Sequence, residues 1–325
     1  MSSKYDPYTD RAIIGFKCSK ENKERFMEFL AYLDKVGLSS VKTPDERESM
    51  LFNAAEQIFL SGNYTGALAA LNSFIEQYPQ GSKAAQANFY IAECYNKEGK
   101  IEKAAHFYYK VMETQDGAFS EIATLNYGRL SYKLERYTEA VNAFETLGQI
   151  AQLENNRYEA QVGKMESYFM CKNYEQTIIE AKELLENSRS DSQMKRYANY
   201  HIAKSSLSTD RRDEAVAILK ELSKDKNDYI GAESAYLLIE NEYDAGNFTN
   251  VQNLTFAFSD SGSPQSYWLA RSFIVLGDSY AEEGNLEQAK ATFNSIKENY
   301  EPQDGGDDIA GLLKNRLDKL SKLAN

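Results

Sequence analysis

The chain has 325 residues and a net charge of −12 at pH 7, which excludes the clustered basic surface that nucleic acids and anionic membranes require. Its composition, 42% hydrophobic and 26% charged, is typical of a folded globular protein, and no run approaches the roughly 20 apolar residues that cross a bilayer. We therefore expect no nucleic-acid partner and no insertion into a membrane.

The first 47 residues are predicted to form an N-terminal segment with one amphipathic helix, or part of a further repeat. Residues 21–36 have the helical pattern, Gly37 ends it, and residues 38–44 are predicted to be a loop. The apolar run at residues 12–14 is too short for the core of a signal peptide. The chain as given is therefore expected to stay in the cytoplasm, unless it is a processed or excised form.

Seven similar turns divide residues 48–303 into pairs of helices. The last residues of the turns are separated by 37, 36, 37, 38, 36 and 38 positions. A regular period of this length is the signature of a repeat architecture. The turn triplets are residues 62–64, 99–101, 135–137, 172–174, 210–212, 246–248 and 284–286.

Three positions recur around each triplet, and their sizes suit two closely packed helices. The first, nine residues before the end of the triplet, is mostly small: Ala55, Ala92, Gly128, Met165, Ala203, Ile239 and Gly277. The second, three residues after it, is Ala67, Ala104, Ala140, Thr177, Ala215, Val251 and Ala289. The third, seven residues later, is always apolar: Phe74, Val111, Leu147, Leu184, Leu222, Phe258 and Ile296. Small residues allow close approach of two helices, and the large ones cover the junction with the next pair.

This pattern resembles the tetratricopeptide repeat over about residues 48–303. The resemblance implies an all-α fold, a right-handed α-solenoid superhelix of about seven helix pairs. Departures from the family pattern are listed next, and the units that contain them are expected to pack less regularly. They are Arg212 at the turn aromatic, Thr177 and Val251 at the alanine, and Met165 and Ile239 at the small residue.

A stretch in the second unit is similar to tetratricopeptide proteins of the bacterial cell envelope. It consists of residues 78–82 followed by Ala85, Phe89, Ala92 and Tyr95. This similarity implies a periplasmic or envelope scaffold, which conflicts with the missing signal peptide unless the chain is processed.

Residues 304–325 are predicted to cap the array. Residues 304–307 are predicted to be a turn, and residues 308–323 a helix with one leucine-rich stripe and lysines outside.

No constellation of catalytic residues is found, so the chain is predicted to have no enzymatic activity and to need no cofactor or metal. His106 and His201 lie in different units, and packing is favoured for both. Cys18, Cys94 and Cys171 form no metal-binding spacing, and the last two are predicted to be small buried residues.

The resemblance implies that the fifth, ninth and twelfth positions of each first helix line a concave groove. The candidate binding residues are Phe52, Glu56, Phe59, Phe89, Glu93, Arg129, Tyr132, Glu166, Phe169, Tyr200, Lys204, Tyr236, Glu240, Tyr243 and Asp278. Aromatic side chains flanked by acids suit a protein or peptide partner that is not acidic. The alternative for the aromatic residues is packing between neighbouring first helices.

The leading hypothesis for the function is a protein-binding scaffold that holds a peptide segment or partner domain in this groove. The alternative is a structural segment of a larger envelope assembly that binds through its ends. An enzyme with an unrecognised site is the third and weakest hypothesis, because a function must be argued from a site.

Overall fold

The computed structural model describes residues 35, 43–114, 119–302 and 306–323, and within these ranges all regular structure is α-helical. The all-α helical-repeat prediction is confirmed. Across these ranges no helix has the length and apolarity to span a membrane. The helix predicted at residues 21–36 falls outside them, apart from Lys35. Fifteen helices are defined in the described ranges: α1 Pro44–Leu60, α2 Tyr64–Gln77, α3 Ala84–Lys97, α4 Ile101–Thr114, α5 Ser120–Lys133, α6 Tyr137–Ile150, α7 Glu154–Met170, α8 Tyr174–Glu186, α9 Ser192–Leu207, α10 Arg212–Leu222, α11 Tyr229–Asp244, α12 Phe248–Ser259, α13 Ser266–Glu282, α14 Leu286–Asn299 and α15 Ile309–Leu323.

The chain divides into two compact units, residues 1–171 with helices α1–α7 and residues 172–325 with helices α8–α15. In each unit every helix packs on the next one along the chain. Odd-numbered helices up to α13 are the first helices of the pairs, and even-numbered ones are the second helices. First helices of neighbouring pairs also touch, as α1 does with α3 and α11 with α13.

The turn inside each pair is formed by a residue in the left-handed region of the backbone. The first residue of every predicted triplet has a φ between 56° and 80°. Glycine occupies four of these positions, where it meets no steric penalty, whereas Glu135, Lys172 and Asp210 adopt the same conformation at some cost. The predicted register of the turns is therefore correct in all seven pairs.

Consecutive pairs are joined by carboxylates that accept hydrogen bonds from the next connection. Glu48 of α1 accepts from the backbone amide of Lys83 at 2.8 Å and from the hydroxyl of Ser82 at 3.1 Å. Glu121 of α5 accepts from the amides of Gln152 and Leu153 in the same way. These carboxylates satisfy amide groups that the start of a helix leaves without a backbone partner.

The three recurring positions form the core, as predicted. The seven residues at the second position, three after each triplet, are all fully buried. The seven at the third position are also buried, with exposures of 8% or less. Thr177 and Val251 are as buried as the alanines. Departure from alanine therefore does not open the packing at these two positions.

Side chains sixteen residues apart in one pair have complementary sizes. Gly128 lies against the ring of Phe144, and Gly277 lies against the ring of Phe293, so closely that a methyl group on either glycine would overlap the ring. Where the first position is alanine, the residue sixteen positions later is larger: Leu71 after Ala55, Tyr108 after Ala92 and Leu219 after Ala203.

Ile239 reverses this relation, because the residue sixteen positions later is the smaller Thr255. Both side chains are completely buried. The expectation that Ile239 would disturb its pair is therefore wrong, since the second helix provides the space that the larger first-helix residue needs.

The register makes a direct stability prediction for α4. Ala104 is fully buried, whereas Lys103 is exposed on the same turn. Ala104→Leu is expected to lower the free energy of unfolding by about 1–3 kcal/mol, because added methylenes at a close helix contact force strain. Lys103→Leu should change it far less. Urea unfolding of both variants measures the difference, and equal losses would contradict the register.

Cys171 departs from the prediction. Cys94 is buried in α3, but Cys171 is exposed. It caps the C-terminus of α7, immediately before the left-handed Lys172, where the backbone leaves the core. Cys18 lies outside the described residues.

Candidate functional site

The fifth-position aromatic residues of the predicted groove are buried rather than half exposed. Phe52, Phe89, Tyr200 and Tyr236 are between 1% and 9% exposed. Phe52, for example, packs edge-on against Phe74 with ring centroids 5.6 Å apart. In this structure these four rings therefore contribute to the core, and a binding role for them stays a prediction.

The twelfth-position aromatic residues are only half-buried. They are Phe59, Tyr132, Phe169 and Tyr243. Burial, followed by the nearby carboxylate of Glu166, raises the pKa of Tyr132 to about 12, so its hydroxyl stays protonated near neutral pH. These rings present surface that a partner could contact.

In the N-terminal unit, ninth-position side chains form hydrogen bonds to the next first helix. Glu56 accepts from the side-chain amide of Gln86 at 3.2 Å and from the hydroxyl of Tyr90 at 2.8 Å. Arg129 pairs with Glu159, with a nitrogen–oxygen distance of 2.7 Å. Glu93 accepts from the hydroxyl of its own pair's Tyr108 and more distantly from Asn126 at 3.4 Å. Glu166 is half-buried on the same face.

In the C-terminal unit, two ninth-position side chains bond directly across to another helix, Lys204 of α9 to α11 and Asp278 of α13 to α15. Lys204 pairs with Glu233 at 2.8 Å, and it also donates to the hydroxyl of Tyr200 at 2.9 Å. Both carboxylate oxygens of Asp278 accept from the Nε of Arg316 at 2.8 Å, and the Nη2 of Arg316 lies 2.7 Å from Oδ2.

Glu240 of α11 is connected to the next first helix, α13, through the hydroxyl of a tyrosine. The hydroxyl of Tyr236 donates to Glu240 at 2.6 Å and accepts from Arg271 at 2.9 Å. Burial and the Glu240 hydrogen bond raise the pKa of Tyr236 to about 12, so this hydroxyl keeps its proton. We call the cross-helix bonds of both units the polar ladder.

Sequence reasoning predicted one side of the polar ladder and missed the other. The missed partners, Gln86, Glu159, Glu233 and Arg271, lie 29 to 31 residues after the ninth positions that they face. Opposite charges recur at this spacing in Arg129 and Glu159, and in Lys204 and Glu233. That recurrence was a usable signal, because the spacing is about seven residues, or two helical turns, shorter than the repeat and is nearly the same in each case.

One part of this face in the N-terminal unit is an aromatic and acidic cluster, most of whose members are half-buried. We call it the Phe59 cluster, and it consists of Phe52, Glu56, Phe59, Gln86 and Tyr90. The Tyr90 ring stacks on both phenylalanines, with centroids 4.5 Å from Phe59 and 6.1 Å from Phe52. Burial, reinforced by the hydrogen bond to Glu56, raises the pKa of Tyr90 above its ordinary value.

The Glu56 carboxylate of this cluster is held by neutral donors, and the one cation against its rings in the described part of the chain is Lys83, whose ammonium lies 5.8 Å from the centre of the Phe52 ring. Gln86 and Tyr90 supply hydrogen bonds but no positive charge. Arg129 and Lys204, in contrast, are paired with carboxylates. The Phe59 cluster therefore combines a half-exposed ring with a carboxylate, which suits an apolar side chain flanked by a cation.

A second aromatic cluster in the C-terminal unit surrounds Trp268, the one tryptophan of the chain. Its ring lies 5.4 Å from that of Tyr236 and 4.9 Å from that of Tyr267. Arg271 lies over the Tyr236 ring and pairs with Asp308 at 2.9 Å. The Arg271 guanidinium therefore closes this cluster with a cation–π contact and an ion pair.

The histidines do not form a site. His106 is exposed, whereas His201 is buried between Tyr197 and Tyr200 in α9. In the described parts of the chain, no three His, Cys, Asp or Glu side chains converge as metal ligands do.

Two segments match family models described as tetratricopeptide repeat, residues 61–118 and residues 267–301. Among curated proteins there is no significant match. A solved tetratricopeptide repeat protein from Parabacteroides merdae is 16% identical, with 84% of this chain and 99% of that one covered and a TM-score of 0.45. The tetratricopeptide domain of P58(IPK) is 16% identical, with 97% and 77% covered and a TM-score of 0.33.

Proposed function

Since the chain is a tetratricopeptide-repeat protein, we propose that it is a non-enzymatic scaffold that holds a peptide segment of a partner protein on the faces of its first helices. Tetratricopeptide repeats in general indicate a role in binding other proteins. The contact surface proposed is the Phe59 cluster together with the neighbouring ninth and twelfth positions of the N-terminal unit.

The observation that carries this proposal is the stacked but half-exposed Phe59 ring beside the Glu56 carboxylate. Glu56 is fixed by two hydrogen bonds, and Tyr90 is fixed between two rings. A surface whose side chains are already ordered loses little conformational entropy when a partner binds. Aromatic residues held in this way are typical anchors of protein interfaces.

The chemistry of the surface favours a partner segment with lysine or arginine next to an apolar residue. Glu56 is held by neutral donors, so a partner cation would be attracted to its carboxylate and would also interact favourably with the faces of Phe59 and Tyr90. An acidic segment would be repelled by the same carboxylate. The proposed partner is therefore a protein segment that is not acidic.

Phe59→Ala is expected to weaken partner binding by roughly thirtyfold, since truncating an aromatic anchor costs about 2 kcal/mol. The matched control is Leu60→Ala, because Leu60 is 64% exposed on the neighbouring position of α1 and lies outside the cluster. Each variant and the wild-type chain would capture partners from extracts of the native host, with quantification by mass spectrometry. The affinity of the recovered partner would then be measured by calorimetry.

Glu56→Gln keeps the shape of the cluster and removes its charge. It should slow association and reduce the dependence of binding on salt, because electrostatic attraction acts mainly on the association rate. Thermal midpoints of all variants separate binding from folding. If Phe59→Ala and Glu56→Gln bind the partner as the wild type does, this face is not the binding surface.

A further inference from the structure

A second surface, in the C-terminal unit, is an apolar cleft of about 470 Å³ between the second helices α12 and α14, with α13 as its floor. Phe256 of α12 and Phe273 of α13 form one wall, with ring centroids 6.3 Å apart. The volume lies within the range of sites that bind a ligand or a peptide side chain. None of its lining residues belongs to the polar ladder.

Phe256 is an exception to the repeat register. It lies eight residues after the last residue of its triplet, and it is 43% exposed. The side chain at this position has a polar group in all the other pairs: Asn72, Tyr109, Glu145, Lys182, Lys220 and Asn294. The position is therefore one that the fold turns toward water, and packing inside the repeat does not require a phenylalanine there.

The opposite wall of the cleft is long, and small side chains occupy part of it. Lining residues on α14 extend from Gln288 to Asn299, which is about 16 Å at a rise of 1.5 Å per residue. Ala291, Thr292 and Ser295 lie along this stretch. A trough of this length suits an elongated occupant, and small residues let another helix approach closely.

Charge restricts the occupant further. Among the described residues that line the cleft, none is Asp, Glu, Lys or Arg, although the chain has 86 such residues, 49 acidic and 37 basic. A charged side chain that entered the cleft would lose hydration without gaining an ionic partner. The surface that complements the cleft is therefore apolar and uncharged.

We propose that this cleft binds the apolar face of an amphipathic helix from a partner protein, as a second contact surface distinct from the Phe59 cluster. Apolar residues spaced at three and four positions along that helix fill the trough between Phe256 and α14. Its charged residues stay in water above the hydroxyl and amide groups of the rim. The proposal does not depend on the function proposed for the first-helix face.

Two labelled peptides of 15 residues test the proposal with the full chain. One has leucines at helical spacing with lysine and glutamate elsewhere, and the other has the same composition in a permuted order. Fluorescence anisotropy is expected to show saturable binding of the first peptide only. Equal binding of both peptides, or of neither, would overturn the proposal.

Phe256→Asn is expected to weaken binding of the helical peptide at least tenfold with no loss of thermal stability, since Asn72 and Asn294 occupy the same position in other pairs. Ile179→Asn is the control, because Ile179 is 47% exposed on α8 outside the cleft. It should leave binding unchanged.

A charge placed in the cleft gives an independent test. Ser295→Glu should abolish binding, whereas Asn294→Glu, on the adjacent residue that does not line the cleft, should not. Phe59→Ala should have no effect, which separates this surface from the first-helix face. Normal binding by both Phe256→Asn and Ser295→Glu would place the peptide elsewhere and overturn the proposal.

Discussion

Gly277→Ala is expected to destabilise the C-terminal unit by about 1–3 kcal/mol, although alanine normally stabilises the interior of a helix by up to about 1 kcal/mol relative to glycine. The sign reverses because the added methyl group would overlap the ring of Phe293, which is itself fully buried. Steric overlap with a side chain that has no room to move outweighs the gain in helix propensity. Urea unfolding of the purified chain measures the change.

The double variant Gly277→Ala/Phe293→Leu tests the cause. Leucine opposite alanine is the combination found at Ala203 and Leu219 in the same unit. The double variant should be more stable than the sum of the two single changes predicts, because each single change creates a misfit that the other removes.

Gly311→Ala is the control for helix propensity. Gly311 lies in α15, and a methyl group there would contact nothing within 4 Å. It should leave stability unchanged or raise it slightly. A Gly277→Ala variant that behaves like Gly311→Ala would show that close packing at this position is not needed.

Acidification from pH 7 to pH 5 is expected to remove about 2 kcal/mol of stability through His201 alone. Burial, followed by the charge of Lys204, lowers the pKa of His201 to about 4 from its ordinary value of 6.5. Between these values the unfolded chain binds a proton that the folded chain rejects, so protonation favours unfolding. The contribution is fully present above pH 6.5 and is lost as the pH falls toward 4, at 1.36 kcal/mol per pKa unit.

His201→Gln removes the titrating group. The difference in unfolding free energy between the wild type and this variant should shift by about 2 kcal/mol between pH 7 and pH 5, in the direction that favours the variant at low pH. Comparing the two proteins cancels the titration of carboxylates. A pH-independent difference for His201→Gln would contradict the buried, neutral state of His201.

The helix pairs could be predicted from the sequence because the period is set by local properties. Turn residues, small residues and large apolar residues recur at fixed offsets along the sequence. Each offset lies within a single helix pair, so it depends only on the packing of two adjacent helices. Thr177 and Val251 show that the register survives substitution, since both are buried where alanine was expected.

The candidate site was predicted less well, because its details depend on contacts between pairs. Whether Phe89 or Tyr236 lines a surface or the core depends on how closely one first helix packs on the next, and both rings are buried. Phe59, in contrast, stays half exposed although its ring stacks on Tyr90 of the next first helix. Cys171 was predicted to be buried from its residue type, but its place beside a left-handed turn residue exposes it.

The polar ladder makes the order of the repeats matter. Core positions are nearly interchangeable between pairs, so packing alone would accept many arrangements. The ladder is more selective: Glu56 faces neutral Gln86, whereas Arg129 and Lys204 face Glu159 and Glu233. If the pair that contains Glu233 followed the one that contains Glu56, two carboxylates would meet. Duplication, deletion or exchange of a single repeat would therefore require a matching change of charge in its neighbour.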